Sequence, residues 1–209
     1  MGFEANEPPY HTFRHLLIAL FGLLTILFTA LTARQFTGWH GAILALLLLF
    51  LSPRFLGHSL MNPKDIPFAC GYMMSLYFAC RWLREIPKVS AKTLIGLTAG
   101  IMVAVSTRVG GLLVIGIFGL FALLSMFLKW RTEEGSAKGK LLLTYIKFGA
   151  IPVVGGLLLS LLFWPFALVD PINHLQEALG EFSKLGVEIS VLFDGANPMS
   201  GDVPRTYLF

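Results

Sequence analysis

Five side chains that could do chemistry stand together in the stretch SPRFLGHSLMNPKDIP, residues 52–67: Arg54, His58, Asn62, Lys64 and Asp65. Arg54, His58 and Lys64 are donors of the kind that bind a phosphate. Asp65 is a carboxylate able to take a proton or to ligate a metal. A plainer role exists for Asp65, because it opens an apolar run and a carboxylate is favoured beside the unpaired N–H groups of a helix N-terminus. That role is the commoner one for a single aspartate. It needs none of the neighbouring cations, and their company raises the chemical reading.

The elements that must hold these residues follow from composition. The 209 residues are 56% hydrophobic and 13% charged, with a mean hydropathy of +0.73, far from the make-up of soluble domains. This points to an integral membrane protein. A net charge of +4 and a pI near 9.2 would suit nucleic acid, but the basic residues sit in short loops between apolar runs, where they act as topology signals. A nucleic-acid partner is discarded on that ground. Cys70 and Cys80 share one apolar run, about 15 Å apart along a helix and too far for a disulfide. Residues 1–10 are polar, acidic and proline-containing, unlike a cleavable signal peptide. The chain opens as if in mid-loop and stops on apolar residues after Pro204, so a fragment of a longer protein is expected.

The run 16–31, flanked by Arg14, His15 and Arg34, predicts a transmembrane helix. The run 39–51, headed by Trp39, either spans with help from its flanks or is a shorter buried helix. Prolines 53, 63 and 67 argue against a continuous helix through 52–67, which is expected as a loop at the membrane surface. A helix over 66–83 tolerates Pro67 in its first turn. Runs 94–105 and 110–128 read as a helical pair turning at Arg108. That arginine either snorkels to the interface or reaches inward for an anionic headgroup, with Gly110 and Gly111 leaving room for close approach. The last run, 141–169, contains Gly155, Gly156 and Pro165 and is expected to be kinked or tilted.

Trp39, Trp82, Trp130 and Trp164 fall near helix ends, where anchoring in the interfacial belt accounts for them. His11, His15 and His40 lack metal-ligand spacing, and no P-loop, nucleophile elbow or zinc motif is present. In sum, the expected fold is an all-α integral membrane protein, a polytopic bundle of about six transmembrane helices with short loops over residues 1–169. Residues 170–209 differ in texture. Asp170-Pro171 reads as an N-cap with a first-turn proline, and Ile172, Leu175, Leu179 and Phe182 recur at helical spacing. An amphipathic helix lying on the outer surface is expected, then an extended segment over 187–193 and a turn over 194–198.

Alternate loops divide the sixteen Lys and Arg residues ten against six. The richer set, in loops 34–40, 81–92 and 129–147, belongs in the cytoplasm by the positive-inside rule. Loop 52–65 and the 170–209 region are then extracytoplasmic.

The 52–67 stretch, followed by Ser106-Thr-Arg-Val-Gly-Gly-Leu112 and Trp164-Pro-Phe-Ala-Leu-Val-Asp-Pro171, resembles bacterial glycosyltransferase family 39 proteins, relatives of the protein mannosyltransferases with the multi-span GT-C fold. The resemblance covers most of the chain, and the first stretch is its most specific part. It implies a partial GT-C fold, and an inverting transfer of sugar from a polyprenyl-phosphate donor to a lipid, glycan or protein acceptor on the outer side of a bacterial inner membrane. It also implies Asp65 as a catalytic carboxylate, with Arg54, His58, Asn62 and Lys64 as its polar neighbours and Arg108 as a contact to the donor phosphate. The family's first outer loop carries an acidic motif for a catalytic base or a divalent metal ion. Here Met1 starts beyond the beginning of that loop, leaving Glu4 and Glu7 as its downstream remnant and Glu7 as the second catalytic candidate. Competing expectations are a transporter or lipid-handling protein, with Asp65, Lys64 and Arg108 along a substrate path, and a non-catalytic membrane subunit that binds a partner through 170–209.

Overall fold

The computed structural model describes residues 9–164 and, beyond them, 169–170, 173–174, 176–177, 180, 190 and 199. The chain divides into two units, Met1–Val169 and Asp170–Phe209. Among the described residues the first contains six α-helices, α1 (Pro9–Phe50), α2 (Pro53–Met61), α3 (Asp65–Glu85), α4 (Ala91–Thr107), α5 (Leu112–Trp130) and α6 (Ser136–Leu161), with a 3₁₀ turn at Val109–Gly111. Among the described residues, three stretches are long and apolar enough to cross a membrane: His11–Phe50, Val109–Trp130 and Ser136–Leu161. Helix α4 is apolar but shorter. Leu16, Leu23, Leu113, Leu120, Leu143 and Leu158 are all exposed, while Ser75, Thr93 and Thr25 are buried. Large apolar side chains outward and small polar ones inward is the arrangement expected when lipid, rather than water, surrounds the bundle.

Helix α1 joins the two predicted runs 16–31 and 39–51, but it is not straight. Gly38 sits at φ 69°, ψ −158° inside it, a conformation that costs glycine little and other residues much. The chain must fold back there. A straight helix would leave Phe50 about 52 Å from His15, and the intervening residues to Leu60 cannot return that distance, yet His15 Nδ1 donates to the Leu60 carbonyl at 2.6 Å. So the first half of α1 runs alongside α3, with Phe28 against Tyr77 and Phe78 and the Gln35 amide on the Tyr77 carbonyl. Residues 39–50 then bring the chain back toward α2.

The closest packing is between α3 and α4. A Cβ added at Gly71 would lie 2.5 Å from the Ala104 nitrogen, and one at Gly100 would lie 2.7 Å from the Ser75 nitrogen. Gly71, Ser75 and Ala79 on α3, and Gly96, Gly100 and Ala104 on α4, recur every fourth residue. Such small-residue rows let two backbones approach where lipid offers no hydrophobic drive. At one end of this hairpin the turn is tied by Glu85. Its carboxylate accepts from Arg81 Nη2 at 2.8 Å, from the Ser90 N–H and hydroxyl at 2.9 Å each, and from the Thr93 hydroxyl at 2.9 Å. Helix α5 runs back antiparallel to α4, and α6 returns parallel to it, with Gly156 against Ile101.

Trp82 is the centre of the core, not the belt anchor expected of it. It is fully buried, edge-on to Phe118 and Tyr145. Its indole N–H donates to the Phe148 carbonyl at 2.9 Å. Pro152, buried within α6, has no N–H to offer the carbonyl four residues earlier, which is that of Phe148. The indole supplies the missing donor. Position near a helix end therefore misplaces Trp82, because the end of α3 lies inside the bundle, whereas Trp39 is exposed as expected.

In the second unit, Asp170 accepts the Asn173 N–H at 3.3 Å and the Asn173 amide at 2.6 Å, as an N-cap does. Ser190 and Met199 form an isolated antiparallel bridge. Ile172, Leu175, Leu179 and Phe182 lie outside the described residues.

Candidate functional site

The alternation of α3, α4, α5 and α6 places the start of α3, the end of α4 and the start of α5 at one end of the bundle, and α2 joins them there. The stretch 52–67 is not the loop expected from its prolines. Ser52 caps α2, its Oγ accepting the Phe55 N–H at 3.3 Å, and Pro53 occupies the first turn, where its missing N–H costs nothing. Helix α2 docks on α1 through buried Ser59, whose Cβ would lie 2.7 Å from a Cβ at Gly22, and through His15. The other two prolines do break the path: Pro63 lies between α2 and α3, and Pro67 in the first turn of α3.

Asn62 makes the corner. Its carbonyl oxygen accepts the N–H groups of Lys64 at 3.1 Å and Asp65 at 2.9 Å. Its amide nitrogen donates to Asp65 Oδ2 at 2.7 Å and to His58 Nδ1 at 3.0 Å. Both protons and both lone pairs of the amide are thus engaged. Since His58 Nδ1 accepts, Nε2 carries the ring proton. The second oxygen of Asp65 pairs with Arg108 Nη2. Arg108 is in extended conformation between α4 and the 3₁₀ turn, so the helical pair does turn there, as expected. Gly111 makes the turn tight: a Cβ on it would lie 2.5 Å from the Ala104 carbonyl carbon.

His58, Asn62, Asp65 and Arg108 therefore form one continuous chain of polar contacts. Neither expectation for Arg108, free snorkelling or a headgroup, included this pairing with Asp65. Both side chains are about half exposed, so the ion pair stays within reach of solvent and solute. Arg54, His58 and Asp65 line an open cleft of about 360 Å³, walled also by Ser52, Phe55 and Ile66. The side chains of Arg54 and Lys64 make no hydrogen bond or ion pair among the described residues, and both are exposed. Glu7 lies outside the described residues. A divalent cation at Asp65 would have to displace the guanidinium. Among the described residues, no three His, Cys, Asp or Glu side chains gather as metal ligands.

Arg54 shares the cleft with His58 and Asp65, Arg108 reaches it through Asp65, and Lys64, next to Asp65 in the chain, is not among the cleft's walls; cations beside one carboxylate are chemistry suited to a phosphate-bearing ligand. What sequence reading missed here is the organising part of Asn62, though Asn-Pro two residues ahead of a helix signals a turn that an Asn side chain can close. Compared with known proteins, the chain matches no protein family, no curated protein and no solved structure.

Proposed function

We propose that this protein is a membrane glycosyltransferase, or a portion of one, that moves a sugar from a polyprenyl-phosphate donor to an acceptor hydroxyl on the extracytoplasmic face. The observation that carries the reading is the pairing of Asp65 with Arg108 beside a cleft lined by Arg54 and His58, with the resemblance of 52–67 to family 39 behind it. Arg54, Lys64 and Arg108 hold the donor phosphate. As the acceptor oxygen attacks the anomeric carbon, the bond from that carbon to the phosphate oxygen breaks. The proton of the acceptor passes to Asp65, and the cations stabilise the charge left on the lipid phosphate. Arg108, drawn to the donor phosphate, would release the Asp65 oxygen that it holds in the free protein. Helices α3 to α6, with the two halves of α1 that meet at Gly38, account for six crossing segments of a partial GT-C fold. The site end faces outward, and the end bearing Arg81, Lys88 and Lys129 faces the cytoplasm of a bacterial inner membrane.

The test is transfer of labelled sugar from polyprenyl-phosphate donor in membranes carrying the full gene product. Asp65→Asn should abolish turnover while donor binding persists, and Arg108→Gln should weaken donor binding. Turnover unchanged in Asp65→Asn would reject Asp65 as the base. Ion-gradient-driven uptake that leaves the lipid unaltered would favour the transporter.

A further inference from the structure

Between α3 and α5, beside Phe36 of α1, the bundle leaves an apolar groove that runs toward the end opposite the candidate site. It begins as a cavity of about 350 Å³ bounded by Phe36 of α1, Ala79 and Leu83 of α3, and Val114, Ile117 and Phe121 of α5. It continues into a second of about 280 Å³ that shares the walls Leu83 and Phe121 and ends at Ser125, Leu128 and Lys129. From Val114 to Lys129 the groove follows α5 for about 22 Å, more than the depth of one leaflet of a hydrocarbon core about 30 Å thick. Among its walls only Ser75, Ser125 and the Lys129 ammonium are polar side chains, apart from the Cys80 thiol.

Cations stand at the end where the groove meets the interface. Lys129 is half-buried there, its ammonium 3.4 Å from the Ile86 carbonyl. Arg84 lies over the Phe36 ring and donates to the Gln35 carbonyl at 2.7 Å. Neither is paired with a carboxylate among the described residues, because Glu85 is turned to Arg81 and to the Ser90–Thr93 cap. Apolar depth ending in two uncompensated cations is complementary to one kind of molecule in a membrane.

We propose that the α3–α5 groove is a binding site for an anionic phospholipid, one acyl chain lying along Ala79, Leu83, Ile117 and Phe121 and the phosphate held by Arg84 and Lys129. The site is independent of the proposed transfer reaction, and its cations, Arg84 and Lys129, stand at the end of the helical bundle opposite Asp65.

The experiment uses the purified chain in nanodiscs, with a phosphatidylglycerol bearing a photoreactive diazirine on its acyl chain, and peptide mapping of the adducts. Adducts should concentrate on residues 75–83 and 114–128. Unlabelled phosphatidylglycerol should compete better than phosphatidylcholine by roughly fivefold for each of the two cations. Arg84→Gln and Lys129→Gln should each remove about one such factor. Ile117→Trp, which fills the groove at a half-buried position, should remove the adducts without changing the α-helical signal. Adducts spread evenly over the exposed faces of α1, α5 and α6, or equal competition by the two lipids, would overturn the proposal. So would absence of adducts because another polypeptide segment occupies the groove.

Discussion

Replacing Trp82 by Phe probes the interlock between α3 and α6 at a single atom pair. The indole N–H meets the Phe148 carbonyl at 2.9 Å, and that carbonyl has no backbone donor because position 152 is proline. Interhelical hydrogen bonds in membrane bundles are worth about 0.6 kcal/mol on average and up to about 1.7 kcal/mol. Here the upper part of that range applies, since the carbonyl is left orphaned. The smaller ring also opens a void beside Phe118 and Tyr145 worth roughly 1 kcal/mol, so Trp82→Phe should cost about 2 kcal/mol. The decisive step is the same substitution in a Pro152→Ala background, where the restored N–H reaches the Phe148 carbonyl. There only the void term should remain, which predicts a coupling of about 1 kcal/mol, well outside the scatter of additive sites, about 0.3–0.5 kcal/mol. Reversible unfolding in mixed detergent micelles, followed by circular dichroism, supplies all four corners of the cycle. Equal costs of Trp82→Phe in the two backgrounds would refute the reasoning.

The α3–α4 seam makes a second prediction: Gly71→Ala, which sets a Cβ 2.5 Å from a backbone nitrogen, should lose about 1–3 kcal/mol by overpacking. Gly116→Ala, where a Cβ meets nothing within 4 Å, should be neutral or gain up to about 1 kcal/mol from helix propensity, and the same unfolding assay separates the two. Asn62→Ala removes two acceptor contacts to backbone N–H groups and the tether to His58. It should cost about 1 kcal/mol as a lost cap, and amide exchange should speed up at Lys64 and Asp65 while the seam residues stay protected.

Much of the helical layout was legible in apolar run length, because a span needs a minimum of consecutive apolar residues whatever its neighbours do. The turn at Arg108 was legible too, since a charge beside two glycines ends an apolar run. The helix in 52–67 was misread because three prolines were weighed together, although a proline just after Ser52 marks a helix start while those at 63 and 67 mark a boundary. Trp82 and Pro152 could not be paired from the sequence: the link spans sixty-six residues, and neither signals its partner by local pattern. The small-residue rows at 71, 75, 79 and 96, 100, 104 were available as spacing, but their meaning depends on two helices being neighbours. Asp65 as a helix-opening carboxylate and Arg108 as a turn residue were both in view. That they face each other was not, because it follows from the antiparallel registry of α3 and α4.

That registry also says why the polar end can be open without being loose. Antiparallel packing puts the N-terminus of α3 and the C-terminus of α4 side by side. Asp65 therefore stands at the positive end of one helix dipole and Arg108 just past the negative end of the other, each charge favoured by its own helix. Gly71 and Ala104, the closest backbone contact of the seam, lie only one to two turns beneath the pair, so the backbones that carry the two charges are fixed where the side chains are half exposed. An incoming anion can compete for Arg108 by moving a side chain alone. A surface ion pair of this exposure is worth no more than about 1 kcal/mol, while a phosphate offers the same guanidinium two or more charge-assisted bonds. The exchange of Arg108 from Asp65 to a phosphate is thus within the reach of binding energy, and it would release one oxygen of Asp65 only when the anion is in place, the other staying on the Asn62 amide.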